Sequence, residues 1–536
     1  GLLYLVEVFL AIAEEPGPKP ELENIWRILL FNQDHNILRG TIADQPYLLA
    51  KRRYDQAIEK AQNLLEETVG KVASKVKQLE GGQSYAVFNP SSWLRTDVVR
   101  VPLSQDVGGA SHIVVEDSDG TSVLCQVLRN EDAEGPPEVL FLAEDVPSLG
   151  YRAFTIKESD EKPQYDTSLR VGKDWMESKS TIVEFDGFNG TLTRLYDKRN
   201  QFELLTANAN CLTLETDVGD LYRSSSSDLS GEDSVITSLR SSAKIRMIER
   251  GPLRSVAEVT TNVHSFPVRQ LVTIYEGIPR IDLETHIDFK GQDTRATLRF
   301  PLSVFTNEVT VGAQFTAEDR HLEVSCPEDR VLGGAAPFPA LDWVDCSGPD
   351  NGVMLSVPGV HEFQFKDGVL AFTLFRSVDH LSRGLDDDNK VTTTAVEKGH
   401  HSYRYCISSH HGDWRDGDVW RISHEHRLPL IAYPLDDSSR GDTVEGSMLR
   451  INGNELMITC FKPTQRENEY IIRFYEPKGE SGKSELSFSR VIQSVRLVDL
   501  CEKDVGELTF SGNRVEIPID AYSIVTLRVS LGDELQ

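Results

Sequence analysis

A chain of 536 residues is too long for a single hydrophobic core, so several domains are expected. Its formal charge of −28, from 84 acidic against 56 basic residues, argues against a phosphate-binding surface and hence against a nucleic-acid partner, while neutral polar substrates stay open. Seven cysteines without a CxxC pair or regular spacing fit reduced thiols and a cytoplasmic protein better than a disulfide framework.

The opening GLLYLVEVFLAIAEE has no basic leader, carries Glu7, and its apolar run is far short of the ~20 residues of a membrane span. It reads as a buried helix entered partway along, with no membrane partner, and with Gly1 at its head further sequence is expected upstream. A PGPKPE break follows. Leu22, Ile25, Trp26, Leu29 and Leu30 then recur at helical spacing. A third helix is expected from Pro46 to Leu79, closed by EGGQ at Glu80 to Gln83.

Between the second and third helices stands FNQDHNILRGTI, Phe31 to Ile42. Read from the residues alone, Asp34, His35 and Asn36 fall in the last turn of the second helix, with His35 favoured by the helix dipole and Gly40 in a left-handed turn. The alternative for His35 is a ligand role.

After Ser84 the texture changes to short β-rich runs bounded by Pro, Gly and Asp, among them YAVFNPSSW, DVVRVPL, HIVVED and YRAFTI. The rhythm continues to about residue 425, and a last β unit runs from GSMLRI to SIVTLRV. Repeated strands of this kind call for stacked antiparallel sheets. The expected fold class is α+β, mostly β: a helical bundle segment at 1–80, a small β domain at 84–160, a large β-sandwich at 161–430 and a C-terminal β-sandwich at 431–536. SSSSDLSGEDS, Ser224 to Ser234, reads as a loop.

Three side-chain constellations carry possible chemistry. His286 and Asp288 in THIDF are two apart on a strand and share a face, a spacing open to metal binding or to a polar outer stripe extended by Glu284. The stretch Gly399 to Arg427 holds His400, His401, His410, His411, His424 and His426 around GDWRDGD; it reads as a strand-loop-strand corner, since Asp413, Asp416 and Asp418 fit no recognised ligand spacing. In DHLSRGLDDDNK, Arg383 precedes Asp386, Asp387 and Asp388 in what reads as a solvated acidic loop. None contains a nucleophile elbow, a Ser/His/Asp order or a phosphate loop.

FNQDHNILRGTI nevertheless resembles a segment of glycoside hydrolase family 38 α-mannosidases that runs Phe-Asn-Gln, any residue, His-Asp-Ile-Leu, then Pro-Gly. Phe31, Asn32, Gln33, His35, Ile37, Leu38 and Gly40 match it, while Asn36 stands where that family has Asp and Arg39 where it often has Pro. AVFNPSSWLRTDVVRVP, VPSLGYRAF, VEFDGFNGTLTRLYDKRNQFELL, VTIYEGIPRIDLETHIDF, AFTLFRSVDHLSRG and SSHHGDW are similar in the same order, with Ser409 in place of a Pro.

The resemblance implies a zinc-dependent, retaining α-mannosidase acting on mannose-containing oligosaccharides. It implies His35 as a zinc ligand and Asn36 as a substrate contact, with the nucleophile and the other ligands in an upstream α/β domain that this chain lacks. His286 and Asp288 would then be a decoy. Leu2, Leu3, Leu5, Val6 and Leu10 are expected to form an apolar surface that the upstream domain covers, through which copies would otherwise self-associate. The rival expectation, supported by Asn36, is a non-catalytic carbohydrate-binding or scaffolding protein.

Overall fold

The computed structural model describes residues 1–15, 19–104, 112–128, 136–224, 235–321, 337–382, 390–436 and 439–534. The acidic stretch Arg383 to Asp388, residues Ser225 to Ser234 of the serine-rich stretch and Pro16 to Pro18 of the PGPKPE break lie outside them. The long helices precede the strands, one further helix follows at Val419–Arg427, and the pairings between the named strands are antiparallel, in keeping with the alternating sequence pattern. The chain divides into two compact units: Gly1–Asn32 with Arg52–Asp166 and Leu428–Gln536, and Gln33–Lys51 with Thr167–Arg427.

In the first unit the helix Leu2–Ile12 is apolar apart from Glu7, and a helix of that composition calls for burial on most of its surface. Leu3, Val6 and Leu10 pack with Leu22, Ile25, Ala57 and Leu64. Leu5 and Phe9 meet Val69, Val72, Phe88 and Ala153, and Val8 and Ala11 join the core of the C-terminal strands beside Phe461 and Tyr470. Leu3, Leu5, Val6 and Leu10 therefore do not form the exposed face expected of them; three neighbouring cores consume the helix surface. Leu30, Phe31 and Ile58 are exposed on the helices of this unit instead, with the Arg53 guanidinium 4.3 Å from the Phe31 ring centroid. Glu7, on the same buried helix, accepts a hydrogen bond from Trp26 Nε1 at 3.0 Å, and burial raises its pKa.

The helix expected to reach Leu79 spans Asp44–Ala73. Beyond it Val76 is fully buried and bridges to Thr443, and Lys77 to Arg440, so strand-like pairing replaces helix there. Gly441 makes that approach feasible: a Cβ at this position would stand 1.7 Å from the Lys75 carbonyl oxygen.

The second unit is built on a nine-stranded sheet, in spatial order Ala243–Arg250, Arg254–Val263, Phe266–Tyr275, Ile281–Phe289, Gly399–His411, Asn351–Ser356, Trp343–Ser347, Glu308–Ala313 and Thr316–His321. Its inner face shares one core with a six-stranded sheet that contains Cys211–Thr216, Thr294–Pro301 and Val369–Ser377. Tyr405 is completely buried there, its hydroxyl 2.6 Å from Asn210 Oδ1 and 2.7 Å from Thr285 Oγ1. Gln270 donates to Thr285 in turn, at 3.1 Å, so this polar island keeps its hydrogen bonds.

The histidine-rich stretch is a strand followed by a helix, Val419–Arg427, and not a strand-loop-strand corner. Val419, Trp420, Ser423 and His426 recur on one buried face. Half of that face is polar, which hides the helical period from a count of apolar residues.

The 33–51 segment belongs to this second unit, and Asp44 fastens it. One carboxylate oxygen accepts from the hydroxyls of Thr392 and Thr394, the latter at 2.7 Å, and the other from the Thr393 hydroxyl at 2.9 Å. Backbone N–H groups of Thr393 and Thr394 add bonds of 3.2 Å. The Thr392 and Thr394 hydroxyls, ahead of those N–H groups, hold the Asp44 carboxyl far below the usual range. A depressed folded pKa stabilises fully above the ordinary Asp value of about 4 and progressively less as pH falls from there towards the folded value. Asp44→Asn should raise hydrogen exchange across residues 33–51, corrected for intrinsic rates, by roughly tenfold at neutral pH. The wild-type segment should lose the same protection in acid, whereas an unchanged exchange rate in the variant would show that other contacts hold it.

Candidate functional site

The segment singled out by its motif is made of two helix ends and a cap. The second helix, Pro20–Phe31, stops at Asn32, and Asp34 begins a separate one-turn helix, His35–Arg39. Asp34 Oδ1 accepts the Asn36 N–H at 3.0 Å, the hydrogen bond of an N-cap. The expectation that His35 closes the preceding helix is therefore corrected: the short Asp34 side chain satisfies a backbone donor and restarts the helix, leaving His35 at the beginning of a turn. Gly40 does occupy the left-handed C-cap, at φ 72°.

His35 is open to solvent, its side chain 71% exposed, with Nδ1 3.7 Å from Asp34 Oδ2. Asn36 is half-buried, and its Oδ1 accepts from the Thr41 hydroxyl at 3.4 Å. Leu38, Leu48 and Leu49 on the same segment are exposed. Among the described residues no group of three metal-binding side chains includes His35. Its imidazole can serve as one donor on an open surface, with other ligands arriving from elsewhere.

His286 and Asp288 do share the outer face of Ile281–Phe289, but they take different partners. His286 Nε2 lies 3.3 Å from Glu284 Oε2, and Asp288 Oδ1 lies 2.8 Å from His400 Nδ1. The two imidazoles stack, their centroids 5.7 Å apart. They border a cleft of about 740 Å³ whose other polar side chains include Lys244, Thr260, Asn262 and Arg269. Paired in this way, His286 and Asp288 form a polar stripe rather than two arms of a chelate.

The remaining histidines separate by depth. His410 is buried, its Nε2 2.8 Å from Asp345 Oδ1, and Cβ atoms at Gly352 or Gly417 would collide with its ring. Burial opposes the charged imidazole, but the hydrogen bond and charge of Asp345 outweigh it, so the pKa is raised. His401 stacks on Phe375 at 4.6 Å, while His411 faces solvent. Asp413 caps a tight turn by accepting the Arg415 N–H at 2.8 Å.

Two arrangements have no signature in sequence spacing. The Asp44 clamp reaches residues about 350 positions away. The other centres on buried Asp197, which accepts from Arg199 at 2.9 Å and from the Ser409 hydroxyl at 2.8 Å. Although burial works against the charge, these donors keep the Asp197 pKa lowered. Ser409 thus supplies a donor where the resembling pattern has Pro.

Comparison with known proteins places this architecture. Residues 1–72 match the alpha mannosidase middle domain, 176–389 the glycosyl hydrolases family 38 C-terminal domain, and 455–527 the family 38 C-terminal beta sandwich domain. Alpha-mannosidase 2C1 of Homo sapiens is 20% identical over 521 residues, covering 96% of this chain and 46% of the relative. A putative mannosylglycerate hydrolase of Halalkalibacterium halodurans is 21% identical over 569 residues, covering 94% and 62%. The fold matches the crystal structure of an alpha-mannosidase from Enterococcus faecalis V583 with a TM-score of 0.83 at 18% identity, over 98% of this chain and 66% of that one. The chain spans about half the length of the human relative. With residues 1–72 matched by the alpha mannosidase middle domain, and 176–389 and 455–527 by two family 38 C-terminal domains in order, the chain belongs to glycoside hydrolase family 38.

Proposed function

We propose that these residues form part of a zinc-dependent, retaining α-mannosidase that removes terminal α-linked mannose from glycans. The observation that carries this reading is His35: an exposed imidazole on a capped turn, in the family motif, on a segment that Asp44 fastens to the β unit. Bound zinc would hold sugar hydroxyls and steady a distorted ring. His35 would supply one of its ligands, and Asn36 a polar contact to substrate. The other ligands, and the pair of carboxyl groups that a retaining mechanism needs about 5 Å apart, lie outside these 536 residues in this reading. Partial coverage of the relatives supports that division.

The partition at 1–80, 84–160, 161–430 and 431–536 is proposed as the domain organisation. A reducing, cytoplasmic setting is consistent with six free cysteines among the described residues, and no helix is long and apolar enough to cross a membrane. A second reading, a non-catalytic glycan-binding member, is favoured by Asn36, whose amide oxygen accepts a hydrogen bond from Thr41 within its own loop.

The 536-residue chain alone should not hydrolyse aryl α-mannosides, whereas joined to an upstream family 38 α/β domain it should do so with a zinc requirement. In that reconstituted enzyme His35→Ala should weaken zinc binding by at least the ~10–100-fold that loss of an outer-shell partner costs. Full zinc content and activity in the variant would sink the assignment, and reconstitution without turnover would favour the glycan-binding reading.

His410→Ala should leave zinc affinity unchanged but cost about 3–5 kcal/mol of stability, because it strands the buried Asp345 carboxylate. Since the folded His410 pKa is raised, its charge stabilises fully below the ordinary histidine value of about 6.5 and loses that contribution as pH rises through the folded value. Chemical denaturation at both ends of that range reads the difference.

A further inference from the structure

We propose that Asp282, Cys406 and His426 form a second divalent-cation site, selective for zinc-like metals, beneath the helix Val419–Arg427. Asp282 and Cys406 face each other directly in the register of the central strand pair. The helix brings His426 to the same place. One carboxylate oxygen, the Cys406 sulfur and one His426 ring nitrogen all lie within 4.8 Å of one another. A tetrahedral zinc with bonds of about 2.0–2.3 Å holds its ligands roughly 3.3–3.8 Å apart. The three donors need close by only about 1 Å, within reach of side-chain rotation.

Three features separate this trio from a chance surface cluster. It is enclosed: Cys406 is fully buried, His426 is 9% exposed and the Asp282 side chain 16%. The donors differ in kind, and a set of nitrogen, sulfur and oxygen selects zinc or cobalt over calcium and magnesium. Asp282 is also already oriented, with Oδ2 accepting from the Tyr275 hydroxyl at 2.7 Å and Oδ1 from Arg280 Nε at 3.0 Å. Outer-shell hydrogen bonds of this type fix a ligating carboxylate, and each oxygen keeps a lone pair for a cation. The nearby Arg280 charge opposes a cation, which places the affinity below that of a four-ligand structural site.

On binding, the sulfur–hydrogen bond of Cys406 breaks, its proton passes to solvent, and the thiolate electron pair forms the bond to the metal. Three protein ligands leave the fourth position to water. The cation would cross-link the helix to the two strands that carry Asp282 and Cys406.

Cobalt(II) is the probe, added to the purified 536-residue chain. A thiolate-to-cobalt charge-transfer band saturating at one equivalent is expected, displaced by zinc. Cys406→Ser should abolish the band, and His426→Ala and Asp282→Asn should each weaken cobalt binding at least ~10-fold. His35→Ala should leave it untouched, so failure here is distinguishable from failure of the proposed catalytic ligand. Absence of the band in the wild-type chain, or its survival in a folded Cys406→Ser variant, overturns the site.

Discussion

The two-residue alternation of the strand Ile281–Phe289, locked in register to Gly399–His411, is the constraint on which the second unit depends. Ile281, Leu283, Thr285, Ile287 and Phe289 point into the shared core, while Asp282, Glu284, His286 and Asp288 line the other face. A slip of one residue would exchange the two sets. It would place four polar or charged side chains in a core where the polar island around Tyr405 is already satisfied. The same alternation that secures the core therefore lays out the outer face, with the His286 and His400 cleft along it and the covered Asp282–Cys406 pair further on.

Against that rigid sheet the motif segment is a tethered turn. Residues 33–51 bury few apolar side chains, and Leu38, Leu48 and Leu49 remain exposed, so hydrophobic contact does little to fix the segment. Directional bonds do the holding. Asp44 gathers three threonine hydroxyls and two backbone N–H groups, and Asp34 restarts the helix that carries His35. A carboxylate in such a ring of donors is strongest where it stays ionised, which is the whole neutral range.

The helix-then-strand order, the antiparallel sheets and the outward face of His286 were legible because they follow from periodicity, which is local. The features that differed from expectation left no trace in hydrophobic periodicity. Whether Asp34 ends one helix or caps the next depends on a single hydrogen bond. The burial of Leu3, Leu5, Val6 and Leu10 depends on three cores assembled from segments up to the C-terminal strands, and an apolar helix looks the same on paper whether covered by its own chain or by another. The helix at 419–427 was obscured because its buried face is half serine and histidine. No spacing rule joins Asp282 to Cys406, since their neighbourhood exists only once two strands 120 residues apart have paired, as the Thr285–Tyr405 bond between the same strands records.

Exposure separates the two proposed metal positions in kind. His35 offers one nitrogen from an open surface, so whatever it binds must be completed by groups from outside its own segment. Such a position can exchange ligands and admit a substrate, and it owes its placement to the Asp44 tether more than to packing. Asp282, Cys406 and His426 are the reverse case: three donors already gathered under a helix and largely shielded from solvent. A cation bound there would couple to folding of the helix against the strands. As proposed, the two positions would differ in work as they differ in solvent access, the open one suited to chemistry at a surface and the covered trio to holding the helix Val419–Arg427 against the sheet.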